Sequence, residues 1–233
     1  MEPLTRRSFV EKAGMGLAAA SAVGIPPSRS EAQLVYRKSD WNLEPFNRLV
    51  HGAALVKQVY DIRAIADGKF LNNVKNSLNG LHFGFGVPED QIRVVVAMHG
   101  PSNMLNFDDA AWQKYRIGEL LGVNDPASGS PATRNPFFAK KDTGGSDPND
   151  PSSMLQDTSI EALQSRKAVF LSCHTATEEQ VRSFVKSGRM QGEPEAIVKD
   201  LQAHLIPGAI VVPAMVAAIA ILQTQGHYSY ITV

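Results

Sequence analysis

The segment Ile92–Met98, Ile-Arg-Val-Val-Val-Ala-Met, constrains the fold of this chain more than any other stretch. β-Branched residues favour strands, and a continuous apolar run indicates a strand that is buried on both faces of its sheet. Sheets covered on both faces are mainly parallel, because crossover helices join their strands and cover them. The sequence His99-Gly100-Pro101 ends the run sharply. The segment therefore predicts a central strand of a parallel sheet.

Further strands and helices alternate along the chain on either side of this strand. Short apolar runs predict the strands, and apolar residues spaced three and four apart predict the helices. The predicted strands are 54–62, 92–98, 168–175, 208–212 and 228–233, and the predicted helices are 69–83, 108–121, 159–166, 178–186, 194–204 and 214–225. This alternation is typical of βαβ units. It predicts one domain of the α/β class, a three-layer α/β/α sandwich with a mainly parallel sheet, over residues 54–233.

Three segments differ from the alternating pattern. In residues 1–32, Arg6-Arg7 precede a weakly apolar Ala- and Gly-rich stretch that ends in Ser30-Glu31-Ala32, which is typical of a twin-arginine export signal. A periplasmic location of the mature chain is therefore expected. Residues 33–53 show no clear period and are predicted to form an irregular N-terminal arm. Residues 124–153, rich in Pro, Gly, Ser, Asp and Asn, predict a flexible insertion, the alternative being a lid beside the site.

Composition and charge argue against several classes of partner. The 23 basic and 23 acidic residues give no net charge, so no global field would attract nucleic acid. The single cysteine allows neither an intrachain disulfide nor a Cys-x-x-Cys pair. No apolar run approaches the roughly 20 residues that span a bilayer, so no membrane contact is expected after signal cleavage.

The cysteine Cys173 lies at the end of the predicted strand 168–175, with His174 beside it. Ligands of open α/β sheets bind at the carboxyl ends of the strands. Thr177 is predicted to cap a helix that starts at Glu178, and the dipole of that helix, with a nearby histidine, would favour the reactive thiolate. The alternative is that the thiol is buried as a small apolar side chain.

The ends of four predicted strands meet at one edge of such a sheet, so their polar residues define a candidate site. The candidate reactive groups are Cys173, His99 and His174, and the candidate ligand-binding residues are Asp61, Gly100, Asn103, Thr175 and Pro213. Each histidine has a structural alternative. His99 would be a neutral imidazole hydrogen-bonded to a turn, and His174 a residue that merely ends the strand.

Metals and cofactors are not predicted. His99, Cys173 and His174 carry suitable donor atoms, but neighbouring residues of a strand point to opposite faces, so positions 173 and 174 rarely bind the same ion. The chain has no Walker-type loop and no Gly-x-Gly-x-x-Gly after a strand, the usual signs of nucleotide binding. It also lacks the Gly-x-Ser-x-Gly motif of serine hydrolases.

The order of four motifs resembles the DsrE/DsrF-like family over most of residues 54–233. The motifs are a strand that ends in His-Gly (Val94–Pro101), the strand that ends in Cys173, a Val-Val-Pro strand (Ile210–Ala214) and a Gly-x-x-Tyr-like tail (Gly226–Ile231). The resemblance implies a small α/β protein linked to sulfur oxidation and sulfur relay, commonly a homo-oligomer. By motif position, it makes Cys173 the counterpart of the cysteine that carries a persulfide in the relay proteins.

The sequence and the resemblance together predict an exported sulfur-handling protein with a persulfide on Cys173, whose thiolate His99 or His174 would tune. Its partners would be further copies of the chain and a sulfur donor or acceptor, either a protein or a small sulfur species. Any activity would be sulfur transfer rather than hydrolysis or oxidoreduction. The alternative is a non-catalytic module that binds a small ligand or assembles into oligomers, with a structural cysteine. The apolar segment Ala214–Leu222 fits an oligomer contact or burial against the sheet.

Overall fold

A parallel sheet forms the centre of the structure, a computed structural model that describes residues 35–141 and 144–233. The strands are β1 (Val56–Ile62), β2 (Ile92–Met98), β3 (Val169–Cys173), β4 (Ile210–Val212) and β5 (Ser229–Thr232). Their order across the sheet is β4-β3-β2-β1-β5, and every neighbouring pair is parallel. The predicted fold class, a three-layer α/β sandwich, is thereby confirmed. The predicted export signal, residues 1–32, lies outside the described residues.

Helices cover both faces of this sheet. They are α1 (Glu44–His51), α2 (Lys69–Asn79), α3 (Asp109–Lys114), α4 (Ile117–Leu121), α5 (Ile160–Ser165), α6 (His174–Lys186), α7 (Pro194–Ala203) and α8 (Met215–Thr224). Most apolar side chains of α2 to α7 pack in one cluster, and those of α1 and α8, with Ala176 of α6, pack in another. Among the described helices, none combines the length and the apolar character that crossing a membrane requires.

The strand β2 shows why this sheet is covered on both sides. Val94 and Val96 belong to the cluster of α2–α7, whereas Val95 and Ala97 belong to the cluster of α1 and α8. All four are at most 1 % exposed. Side chains of a strand alternate between its faces, so a run without polar residues fills both cores. The prediction of a central strand at 92–98 is confirmed.

The N-terminal arm contains a helix that the sequence reading missed. The helix α1 spans Glu44–His51 and buries Phe46, Leu49 and Val50. These three residues are spaced three and four apart, and Pro45 stands in the first turn, where proline is tolerated. The expectation of an irregular stretch was wrong here, because the period is only two turns long and was not recognised.

The predicted helix after Cys173 also begins earlier than expected. The helix α6 starts at His174, directly after β3, and Cys173 itself is the N-cap residue. The Thr177 hydroxyl instead donates to the Cys173 carbonyl from inside the first turn, at 3.1 Å. Thr177 is therefore not the N-cap. The dipole that was expected near the thiol begins at the thiol itself.

The segment 124–153 is joined to the domain at its described residues. Its regular pairing is one isolated bridge between Asn124 and Pro131. The buried Asn135 side chain donates to the carbonyls of Leu105 and Phe107, at 2.8 and 3.1 Å.

The predicted helix 108–121 is divided into two helices, α3 and α4. The division lies at Arg116, whose φ of 52° is in the left-handed region.

Candidate functional site

The carboxyl ends of β1, β2 and β3 bring three residues to the same level of the sheet. The ladders pair position 62 with 98 and position 98 with 172, so the next residues along are Arg63, His99 and Cys173. Neighbouring parallel strands lie about 4.8 Å apart, which makes His99 and Cys173 cross-strand neighbours. His99 and Cys173 each follow a residue whose side chain faces α2–α7, and side chains of a strand alternate between its faces. They therefore face the layer of α1 and α8.

A cleft of about 400 Å³ opens at this point, and we call it the thiol cleft. Its lining residues are Arg63, His99, Gly100, Pro101, Cys173, Thr175, Ala176, Glu179, Met215 and Val216. Four of the eight predicted site residues, His99, Gly100, Cys173 and Thr175, thus line one cleft. Asp61, Asn103, His174 and Pro213 take other positions. Arg63 and Glu179 are exposed and give the rim one charge of each sign.

The sulfur of Cys173 receives hydrogen bonds from two helix N-termini. The backbone N–H of Ala176, in the first turn of α6, lies 3.4 Å from the sulfur, and that of Met215, the first residue of α8, lies 3.3 Å from it. The Thr175 hydroxyl oxygen is 3.1 Å away. Helix N-termini carry unpaired N–H groups and positive partial charge, and here two of these groups point at one sulfur. Cys173 is 3 % exposed, so its thiol is largely buried at the base of the cleft.

Asn103 holds the backbone on which the thiol stands. Its Oδ1 accepts from the Cys173 N–H at 2.7 Å and from the Ser172 hydroxyl at 3.2 Å, and its Nδ2 donates to Thr177 Oγ1 at 2.9 Å. The side chain is fully buried. Asn103, a predicted ligand-binding residue, thus joins the end of β3 to the start of α6.

His99 is one end of a hydrogen-bonded chain that leads to the last strand. Its Nε2 lies 2.6 Å from Asp61 Oδ1, and the Tyr230 hydroxyl donates to Asp61 Oδ2 at 2.5 Å. The hydrogen bond to Asp61, followed by burial, raises the pKa of Tyr230 above its usual value. A carboxylate on one ring nitrogen fixes the tautomer and orientation of an imidazole. Asp61, a predicted ligand-binding residue, therefore contacts His99 and does not line the thiol cleft.

Two of the predicted ligand-binding residues, Gly100 and Pro213, contribute to the structure of the site through their backbone. Gly100 has φ of +59°, and a Cβ at this position would lie 3.0 Å from the Arg63 carbonyl oxygen, so a side chain would be strained there. The Pro213 carbonyl accepts from the Thr175 N–H at 3.2 Å, which ties the turn after β4 to the first turn of α6. The Pro213 side chain lines a separate apolar groove of about 380 Å³ beside α1 and α8.

His174 occupies a different pocket, on the face that α7 covers. We call it the His174 pocket; it measures about 330 Å³ and is lined by Tyr36, Asp40, Trp41, His174, Glu178, Glu195, Val198, Lys199 and Gln202. The imidazole is 4 % exposed and contacts the rings of Tyr36 and Trp41 edge-on, at centroid distances of 4.5 and 5.0 Å. Burial lowers the pKa of His174, although the nearby Glu178 carboxylate opposes this. The structure does not bring His174 together with Cys173.

Three groups that take part in these sites are not among the site residues predicted from the sequence. The Met215 N–H is a backbone group, so no residue type signals it. Tyr230 lies on a terminal strand whose pairing with β1 brings it to Asp61. Arg63 follows the first strand, and only the register of the sheet places it beside His99. Within residues 35–141 and 144–233, no group of three or more His, Cys, Asp or Glu side chains is arranged to hold a metal ion.

The thiol cleft combines parts that nucleophilic chemistry on sulfur requires. They are a thiol, N–H donors from two helix N-termini that point at its sulfur, and an imidazole paired with a carboxylate; such groups can serve as nucleophile, anion donors and acid–base group. No protein-family model, curated protein or solved structure matches this chain, so its chemistry has to be inferred from these residues themselves.

Proposed function

We propose that this chain carries sulfane sulfur as a persulfide on Cys173. The observation that supports the proposal most is the convergence of the Ala176 and Met215 N–H groups on the Cys173 sulfur. Backbone donors that point at one sulfur stabilise negative charge there, and a persulfide is an anion at neutral pH. The resemblance of the strand-end motifs to the DsrE/DsrF-like family supports the same role for this cysteine.

The loading step exchanges one S–S bond for another. The Cys173 thiolate attacks the terminal sulfur of a donor persulfide, R–S–S⁻, and forms a bond to that sulfur. The S–S bond of the donor breaks, and the donor leaves as the thiolate R–S⁻ with the electron pair of the broken bond. The products are Cys173–S–S⁻ and R–S⁻, so the step needs no oxidant or reductant.

The remaining residues of the thiol cleft have distinct roles in this step. When Cys173 starts as a thiol, His99 takes its proton and later passes it to the leaving thiolate, while Asp61 orients the imidazole and stabilises its charge. The exposed Arg63 guanidinium at the rim attracts the anionic donor. A cleft of about 400 Å³ accepts a short polysulfide or the end of a persulfide side chain.

The setting of this reaction is also a proposal. The motif in residues 1–32 supports a periplasmic location, with a small polysulfide or a sulfur-relay protein as donor. The helix α8 supports homo-oligomers, because Val216 is 70 % exposed and the outward residues Ala217 and Ala220 are apolar as well. An apolar helix face of this kind is typical of a contact surface.

A second candidate function is a non-catalytic module that binds a small ligand or assembles into oligomers. The observation that favours it is the burial of Cys173, which is 3 % exposed and packs in an apolar cluster with Val212 and Met215. In this case the thiol is part of the core and the cleft binds a ligand without covalent chemistry.

The intact mass of the mature protein separates the two candidates. Protein purified without reductant is incubated with inorganic polysulfide and weighed before and after. The persulfide proposal expects the mass of one sulfur atom to be gained at Cys173, lost again with dithiothreitol, and absent in Cys173→Ser. The serine hydroxyl still accepts at the N-cap, so this variant keeps the helix start. A native thiol that gains no sulfur, and that reacts only after unfolding, would contradict the proposal and favour the second candidate.

A further inference from the structure

The His174 pocket holds a buried carboxylate that the proposed function does not use. Glu178 is 3 % exposed, and its Oε2 has no hydrogen-bond partner in the part of the chain that the structure describes. The Nε2 of His174, 4 % exposed, has none either. A buried polar atom that is left without a partner costs free energy, and the cost is larger for a charged group. Trp41 Nε1, an indole donor that lines the same pocket, has no partner among the described residues either. The pocket therefore offers a ligand one buried carboxylate oxygen and buried ring N–H groups.

The contacts of Glu178 account for only one of its two oxygens. Oε1 accepts from the Tyr36 hydroxyl at 3.0 Å and lies 3.5 Å from His174 Nε2. The other ring nitrogen of His174, Nδ1, contacts the side-chain amide of Gln202. Burial lowers the pKa of His174, so the imidazole is neutral at neutral pH and does not balance the charge of Glu178. Glu178 Oε2 is thus the buried acceptor that an N–H group of a ligand can satisfy.

The walls of the pocket suit a cation with an organic body. The rings of Tyr36 and Trp41 meet edge to face at a centroid distance of 5.3 Å, beside the carboxylate. Aromatic faces attract ammonium and guanidinium groups, most strongly where water is excluded. Asp40 and Glu195 add carboxylates at the rim, and Lys199 adds one ammonium. Glu195 is engaged by Arg182 at 2.8 Å, which leaves Glu178 as the deep acceptor.

We propose that the His174 pocket binds an organic ammonium ion, with the Glu178 carboxylate as its counter-charge and Tyr36 and Trp41 as its walls. An ammonium group brings three N–H donors, one of which satisfies Glu178 Oε2. The ammonium belongs either to a free amine or to a lysine side chain of another protein. This site is independent of persulfide chemistry, because none of the residues that line it also lines the thiol cleft.

The test is calorimetric titration of the full chain with n-butylamine hydrochloride, and with 1-butanol as the uncharged analogue. We expect saturable binding of the amine only. Charged hydrogen bonds contribute about 1.5–3 kcal/mol, so Glu178→Gln should weaken binding by about tenfold or more. The matched control is Glu179→Gln, the same change of charge one residue further along in the thiol cleft, which should leave amine binding within about twofold of the wild type.

A second variant and a second ligand sharpen the test. Trp41→Leu removes an aromatic wall without a change of charge and should weaken binding severalfold, whereas the thermal unfolding of each variant shows that it is folded. Tighter binding of Nα-acetyl-lysine amide than of n-butylamine assigns the ammonium to a protein lysine, and the reverse order assigns it to a free amine. No saturable binding at millimolar amine, equal binding of 1-butanol, or unchanged binding by Glu178→Gln would overturn the proposal and leave water as the partner of Glu178.

Discussion

Cys173 and His174 are neighbours in the chain, yet they belong to two different sites. The thiol lies in the cleft beside α8, and the imidazole lies in the pocket beneath α7. One site directs N–H donors at a sulfur, whereas the other contains a buried carboxylate oxygen that has no hydrogen-bond partner among the described residues. Cys173 is the last residue of β3 and His174 the first residue of α6, so proximity along the chain says little here about a shared function.

The two sites also differ in what they are made of. The donors around the Cys173 sulfur are mostly backbone groups, fixed by where α6 and α8 begin. The His174 pocket is made by side chains from the N-terminal arm and from α6 and α7. Changes of backbone geometry should therefore affect the thiol cleft most, and changes of side-chain charge should affect the His174 pocket most.

The largest expected effect separates the two histidines. His99→Ala removes the acid–base group beside Cys173 and should slow alkylation of the native thiol by iodoacetamide by roughly a hundredfold at neutral pH, the size typical of a general base. His174→Gln should change the rate by less than about twofold, because His174 faces the other pocket. Intact mass over time gives both rates. An equal loss of rate in the two variants would show that the sites are coupled.

The next effect tests the role of the backbone. Gly100→Ala places a Cβ 3.0 Å from the Arg63 carbonyl at a φ of +59°. We expect a loss of about 2 kcal/mol in the free energy of unfolding, from left-handed strain and this close contact. Gly129→Ala is the control, since its φ is +70° but no atom lies within 4 Å of the added Cβ. Its loss should stay near 1 kcal/mol. Urea unfolding measures both, and equal losses would refute the role of the contact.

A smaller effect on the rate of thiol alkylation is expected from Tyr230, at the far end of the hydrogen-bonded series that begins at His99. Tyr230→Phe removes the donor to Asp61 Oδ2, now at 2.5 Å, and leaves the rest of the side chain in place. One hydrogen bond is typically worth about 1 kcal/mol, so alkylation of Cys173 should slow by about fivefold. Tyr36→Phe, which removes the donor to Glu178, is the matched control and should leave the rate unchanged. If Tyr230→Phe is also without effect, His99 does not depend on Asp61 for its orientation.

The smallest effect is a dependence of stability on pH. Burial lowers the pKa of His174 in the folded state, so above pH about 6.5 both folded and unfolded chains hold a neutral imidazole. As the pH falls below that value, the unfolded chain takes up the proton first. The free energy of unfolding therefore decreases until the pH passes the folded-state pKa. His174→Gln should lose this part of the decrease, and a steeper decrease in the variant would contradict it. Urea unfolding at pH 5 to 8 measures it.

The local pattern of apolar residues in the sequence is sufficient to predict most of the fold. The β-branched run of β2 and the alternation of strands with helices predict a parallel sheet with helices on both faces, because one short apolar run can only be buried between two layers. The side chains of positions 173 and 174 do line different pockets, but His174 begins the helix α6 and is not part of the strand whose period predicts the separation. The helix α1 was missed although its spacing was present in the sequence.

Only the tertiary structure decided what surrounds each side chain at the strand ends. The register of β1, β2 and β3 sets Arg63 and His99 level with Cys173, and the return of the chain to β5 brings Tyr230 to Asp61. The start of α8 aims the Met215 N–H at the sulfur from 42 residues away along the chain. Such contacts join backbone groups and side chains that are distant in sequence, and residue types and spacing carry no information about distances between separate elements.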